Sequence, residues 1–250
     1  MSDDRPTGPG RVDTEDYSCF GETETWPLSR IRQVIARRLV ASWGNVPHVA
    51  QFDEVDLEAL EALRHRLQSE DPDLKLSVLP FVMKACARAL KAFPEFNASL
   101  DDSGANLVLK KYCHIAFAAQ TPVGLLAPVV RDVDRKDLRE TARAIETLAQ
   151  KARAGRMALS DAEGSCFTVS NLGMLGGTGF TPVINAPEVG ILGVARASRK
   201  VVEVEGAIVS RLMLPLTLVY DHRVIDGAVG GRFLAFIREQ LARAEALQIG

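Results

Sequence analysis

The 250-residue chain lacks most of what would place it in a membrane, outside a cell or on a nucleic acid. No apolar run reaches the ~18 residues that a membrane-spanning helix needs. The N-terminal stretch has no basic patch, apolar core and small-residue cleavage site in succession; residues 2–16 are polar and rich in Pro, Gly and acids. The four cysteines, Cys19, Cys86, Cys113 and Cys166, form no C-x-x-C pair, so no metal, dithiol redox motif or disulfide framework is expected. Neither sign of charge is in excess: 30 Lys and Arg against 32 Asp and Glu leave −2, which provides no basic field for nucleic acid. Also missing are G-x-x-x-x-G-K-[ST], a clean G-x-G-x-x-G and G-x-S-x-G, which disfavours a nucleotide loop and a serine-hydrolase elbow. A cytoplasmic protein with reduced thiols is the expectation.

What is present is an ordinary soluble composition, 47% hydrophobic and 25% charged, over a length that buries a sizeable core. Residues 1–19 read as a flexible tail, with too few apolar side chains to offset the entropy of ordering them, and residues 20–250 as one domain. Ser29 is an N-cap for a helix in which Ile31, Val34, Ile35 and Leu39 recur at helical spacing, ending near Trp43. A strand is expected before Asp56, and after it a helix through Leu57, Leu60, Leu63 and Leu67. The run Pro80 to Ala92, apolar on most faces, predicts a buried helix stopped by Phe93 and Pro94. Strands are expected over 106–110, 113–119, 125–130, 165–170, 190–194, 200–204 and 212–220. A helix is expected over 137–154, and a last one carrying Phe233, Ile237 and Leu241. Helices and strands interleave without steady β-α-β alternation, so the fold class expected is α+β with one large sheet.

The strongest chemical signal is Asp221-His222-Arg223-Val224-Ile225-Asp226-Gly227, between an apolar strand and the last helix. Histidine titrates close enough to neutrality to accept a substrate proton, and a strand end followed by glycine is where a rigid scaffold presents one. Asp226 is placed to hold the loop, orient the ring or pair with an arginine; a plain polar turn with an exposed histidine fits the same residues. The second signal runs from Ser165 to Gly177, where an apolar strand passes through Ser170 into a glycine-rich turn. Such a turn aims a hydroxyl or N–H at an oxyanion, or merely joins two strands. His48, His65 and His114 lack ligand spacing and read as packing or solvent-facing.

Taken together, D-H-R-V-I-D-G at Asp221 to Gly227, F-T-V-S-N-L-G-M-L-G-G at Phe167 to Gly177 and N-A-P-E-V-G-I-L-G-V at Asn185 to Val194 resemble the catalytic domain of dihydrolipoamide acyltransferases. These are the core components of 2-oxoacid dehydrogenase complexes. The likeness continues in order through P-L-S-R-I-R-Q-V-I-A-R-R-L, N-V-P-H-V-A-Q-F-D, F-N-A-S-L, T-P-V-G-L-L-A-P-V-V and L-M-L-P-L-T-L-V-Y, and is strongest toward bacterial pyruvate dehydrogenase acetyltransferases. It implies the chloramphenicol acetyltransferase fold, a mixed sheet flanked by helices, in a homotrimer with active sites between subunits. It further implies His222 as the general base for the thiol of coenzyme A, and Ser170 as the hydroxyl that hydrogen-bonds the oxyanion and reaches a neighbouring subunit's histidine. Asp226 would fix its loop through an arginine, with Arg32 as the candidate partner.

Coenzyme A carries phosphates that need basic partners, and Arg64 and Lys84 are named for that role. No lipoyl-lysine motif occurs in this sequence, so the lipoyl group is expected from another chain, alongside 2-oxoacid dehydrogenase components. Gln120 and Val123 depart from the acidic and polar residues that the family shows around Thr-Pro. The ending Leu247-Gln248-Ile249-Gly250 is less apolar than those that join trimers into cubic cores, so a trimer is expected first and a cube beyond it. Two other readings use the same residues: a structural core without turnover, and a stand-alone acyltransferase for a small acceptor.

Overall fold

A computed structural model describes residues 15–122, 124–173 and 176–248. Helix α1 (Arg30–Asn45) begins as the sequence predicts, with Ser29 Oγ accepting the Arg32 N–H at 3.3 Å. Much of its apolar stripe is left uncovered by the described residues: Ile31, Val34, Leu39, Val40 and Trp43 are exposed, although the Trp43 ring touches that of His48, and Ser42 is the buried residue of the helix. Helical spacing identified the helix but not what covers it. Residues 15–19 add one exposed turn, Tyr17–Phe20, capped by Asp16; residues 1–14 of the expected tail lie outside the described residues.

Strand β1 (His48–Asp56) leads into α2 (Glu58–Glu70), whose Leu60, Leu63 and Leu67 are buried. Helix α3 (Val78–Ala92) starts two residues before Pro80 because Ser77 caps it, and every residue from Leu79 to Ala87 is buried. Short strands follow: β2 (Ala98–Leu100), β3 (Leu107–Leu109), β4 (Ile115–Phe117), β5 (Ala119–Thr121), β6 (Gly124–Leu126) and β7 (Val129–Val130). The strands expected over 113–119 and 125–130 are thus each divided, the second at Pro128, which has no N–H to give to a ladder. Helix α4 (Leu138–Arg153) opens with a capping box between Asp137 and Glu140.

The last elements are β8 (Phe167–Asn171), β9 (Gly190–Val194), β10 (Ser198–Val204), β11 (Ala207–Asp221) and α5 (Gly227–Ala242). The main sheet runs β1-β11-β9-β8-β4-β7, with β10 on the first half of β11. It is mixed: β8 lies parallel to both β4 and β9, and the other pairings are antiparallel. One face carries Phe167, Val169, Leu192, Val194, Leu216, Leu218 and Tyr220 into the core shared with α2, α3, α4 and α5. Alternation sends Ile191 and Val219 to the opposite face, where Val46 and Ile184 form a small cluster with them. This is the α+β architecture expected, with most of the apolar burial on one side of the sheet.

Candidate active site

His222 stands just past the end of β11, its ring exposed and 6.0 Å from that of Tyr220. Its main-chain N–H is fixed by Pro47 O at 3.0 Å, so the strand's hydrogen bonding continues one residue past Asp221. Asp221 is buried and gripped at two points by Arg223, Nη2 to Oδ2 at 2.6 Å and Nε to Oδ1 at 3.0 Å. That carboxylate holds the guanidinium pKa above its ordinary value. The Asp221 carbonyl accepts the Val224 and Ile225 N–H groups, each at 3.0 Å, which closes the turn. A cleft of about 910 Å³ opens beside this loop, lined among others by Arg38, Lys110, Glu188, Asp221 and Arg223.

Asp226 is spent differently from the expectation. Its Oδ1 accepts the Val229 N–H at 2.8 Å and caps α5, and among the described residues it forms no ion pair with Arg32. Arg32 lies elsewhere, its Cγ 4.0 Å from the point a β-carbon on Gly124 would occupy, beside the β5–β6 hairpin. Within one chain the Asp226–Arg32 pair is therefore corrected to a helix cap.

Ser170 is buried on β8, on the sheet face away from the main core, and among the described residues its hydroxyl takes no hydrogen-bond partner. It lies in register with Gly193 of β9, which lies in register with Thr217 of β11. Gly193 lets two rings pack close beside Ser170: Phe180 Cζ and Pro182 Cδ each stand 3.2 Å from where its β-carbon would be. His222 is five residues beyond Thr217 along β11. At ~3.4 Å per residue and ~4.8 Å per strand, Ser170 and His222 are separated by about 20 Å in one chain. The two residues sit at opposite ends of one sheet and do not meet inside a single subunit.

The two basic residues named for coenzyme A are already engaged. Arg64 binds Glu61 at 2.6 Å, Gln68 at 2.8 Å and the Leu76 carbonyl at 3.2 Å. Lys84 is buried, because α3 is enclosed on nearly every face, and its Nζ donates to the carbonyls of Val133, at 3.1 Å, and Lys136. Burial lowers its pKa. The Lys84 assignment is corrected, since its buried ammonium ties α3 to the loop before α4, whereas Arg64 is paired at the surface of α2. Gln120 is exposed in β5, and Val123 lies outside the described residues.

One buried acid was passed over in the sequence. Glu188 sits in the run Asn185-Ala186-Pro187-Glu188 and accepts from Thr168 Oγ1 at 2.6 Å, Asn185 Nδ2 at 3.1 Å and Ser165 Oγ. Burial pushes its pKa up to about 7 against these donors and the nearby Lys110 charge. No periodicity marks such a residue, since it belongs to no regular element. Among the described residues, no group of three or more His, Cys, Asp or Glu is arranged to hold a metal ion.

Residues 20–249 match the family model of the 2-oxoacid dehydrogenase acyltransferase catalytic domain. The dihydrolipoyllysine-residue acetyltransferase component of the Pseudomonas aeruginosa pyruvate dehydrogenase complex is 51% identical over 234 residues, covering 93% of this chain and 43% of that protein. The chain thus spans about two-fifths of the length of this curated relative. Two solved structures each superpose with a TM-score of 0.92 at 47% identity, covering 95% of this chain and 98% of theirs. One is the cubic core of a pyruvate dehydrogenase multienzyme complex. The other concerns a serine, a histidine and an asparagine in the catalytic mechanism of Azotobacter vinelandii dihydrolipoamide acetyltransferase. Fifty-two residues separate that serine from that histidine, the interval between Ser170 and His222, and the asparagine follows by four, the position of Asp226. Chloramphenicol acetyltransferase shares the fold, at a TM-score of 0.51 and 17% identity. The chain belongs to the 2-oxoacid dehydrogenase acyltransferase family, and residues 20–249 are its catalytic domain.

Proposed function

We propose that the protein transfers an acetyl group between coenzyme A and a dihydrolipoyl group. The observation that carries the reading is the placement of His222 and Ser170 at opposite ends of one sheet, at the catalytic spacing of the Azotobacter protein. Two copies, juxtaposed end against end, complete what one lacks: the histidine of one chain faces the serine of the next. The exposed stripe of α1 supplies apolar surface for such contacts, as a homotrimer of this family would use. A cubic assembly of trimers, with lipoyl-bearing and 2-oxoacid dehydrogenase partners, is the extension of the same reading. The three buried free cysteines, Cys86, Cys113 and Cys166, suit a reducing cytoplasm.

The chemistry follows from the two side chains. A thiol of ordinary pKa is mostly protonated at neutral pH, and the thiolate is the nucleophile. His222 takes the thiol proton of coenzyme A, and the sulfur attacks the thioester carbonyl of the acetylated dihydrolipoyl group. The Ser170 hydroxyl donates to the oxyanion of the tetrahedral intermediate. Collapse breaks the bond to the dihydrolipoyl sulfur, which leaves with the proton held on His222. The reverse direction uses the same groups.

The test is transfer from acetyl coenzyme A to dihydrolipoamide. His222→Ala should lower kcat roughly 10²- to 10⁴-fold, and Ser170→Ala roughly 10²- to 10³-fold. Near-normal turnover by the His222→Ala protein would end the reading, and turnover by neither wild type nor variant would favour a structural core.

A further inference from the structure

We propose that His48 is a positioning residue that holds His222 in place through the carbonyl of Pro47. The inference rests on the reading of His222 as the base. His48 opens β1 directly opposite Asp221, so it is the nearest residue of the neighbouring strand to the loop that carries His222. Its ring nitrogens are both used. Nε2 faces the Ile184 main-chain N–H at 3.0 Å, and an N–H only donates, so Nε2 accepts. The ring proton therefore lies on Nδ1, which donates to Val46 O at 2.7 Å. The ring also lies against Trp43, with centroids 5.0 Å apart.

One imidazole thus joins three pieces of chain: the end of α1, the start of β1 and the segment leading to Glu188. Ser42 Oγ supports the arrangement by donating to Ile184 O at 2.6 Å. Pro47 lies between the two residues so fixed, Val46 and His48, and its carbonyl receives the His222 N–H at 3.0 Å. A shift of the 46–48 segment is handed to the backbone of His222 with no intervening side chain. Reacting groups misplaced by about 1 Å lose on the order of a hundredfold in rate, so this single carbonyl is a sensitive place to act.

The side chain does not reach the reacting atoms in this scheme, and space-filling has to be separated from hydrogen bonding. His48→Phe keeps a flat ring and removes both bonds. His48→Gln keeps an acceptor near the Nε2 position, and His48→Asn a donor near Nδ1. In the full chain, with acetyl coenzyme A and dihydrolipoamide as substrates, His48→Phe should lower kcat roughly ten- to a hundredfold with KM nearly unchanged. Gln and Asn should each recover part of the loss. Hydrogen exchange at the His222 amide should quicken in His48→Phe while amides in the middle of β11 keep their protection. Wild-type kcat in His48→Phe would overturn the proposal, as would a loss of kcat with unchanged exchange at His222. If His222→Ala retains activity, the base assignment fails instead, and the exchange measurement still decides whether His48 holds the loop.

Discussion

At the scale of single residues, Phe180 and Pro182 are packed over Gly193, next to Ser170. If Ser170 Oγ marks the carbonyl oxygen, the acyl chain meets the rings of Phe180 and Pro182, which lie over Gly193 at 3.2 Å from its absent β-carbon. These two rings fill the space that a side chain at 193 would take, and each methylene that must be fitted beside them costs ~1–3 kcal/mol of transition-state binding. Phe180→Ala should therefore raise kcat/KM for isobutyryl or succinyl donors relative to acetyl by roughly 10- to 200-fold, read from competing acyl coenzyme A substrates. Glu188 makes a separate residue-scale prediction. Its carboxyl ordinarily titrates near 4.5 and is pushed up to about 7 in the fold. Because the folded state binds the proton more tightly, the contribution of Glu188 to stability falls as pH rises from about 4.5 to about 7 and is level above that. The interval is worth roughly 3 kcal/mol. Urea unfolding at about pH 5 and about pH 8 should show this slope in wild type and its loss in Glu188→Gln.

At the scale of elements, α5 is set against the sheet by one close approach. A β-carbon at Gly230 would come within 2.6 Å of Tyr220 Cε1 and 2.8 Å of Gln51 Oε1, both held in packed strands. The buried Tyr220 ring cannot yield, since it also packs edge-on against Phe96 with centroids 6.4 Å apart. Gly230→Ala should therefore destabilise by about 1–3 kcal/mol and lower turnover, because the helix it displaces is capped by Asp226, four residues after His222. At the adjacent Gly231 the nearest contact of a β-carbon is 3.8 Å. Gly231→Ala should be neutral or stabilising by up to about 1 kcal/mol through helix propensity. Opposite signs at neighbouring glycines, measured by urea denaturation, would identify packing rather than propensity as the constraint.

At the scale of the whole molecule, the distance of about 20 Å between Ser170 and His222 within one chain means that, if the two act together as proposed, activity is a property of the assembly. His222→Ala chains retain the serine and Ser170→Ala chains retain the histidine. Mixed in equal amounts, they should regain turnover at roughly a quarter of the interfaces, where an intact serine meets an intact histidine. Each protein assayed alone should show only its low residual rate. If mixing restores nothing although mixed oligomers form, the site does not span two copies.

The amino-acid sequence by itself determined the five main helices, the cap at Ser29, the buried α3 and the α+β class, because these depend on local periodicity and capping chemistry, whereas the short strand Ala98–Leu100 and the breaks at 118 and 127–128 left no such mark. It also singled out His222 and Ser170, since a histidine after an apolar strand and a serine before glycines are unusual locally. Tertiary structure alone decided how such residues are used. Lys84 and Arg64 read as free cations because sequence does not reveal which face of a helix is covered or which carbonyls lie across from it. Asp226 became a helix cap, because Arg32 was carried to the hairpin at Gly124. His48 and Glu188 acquired their partners from segments 136 and 20 residues away. Short-range order is written in the neighbouring residues, whereas burial and ring hydrogen bonds depend on which distant strands the sheet brings side by side.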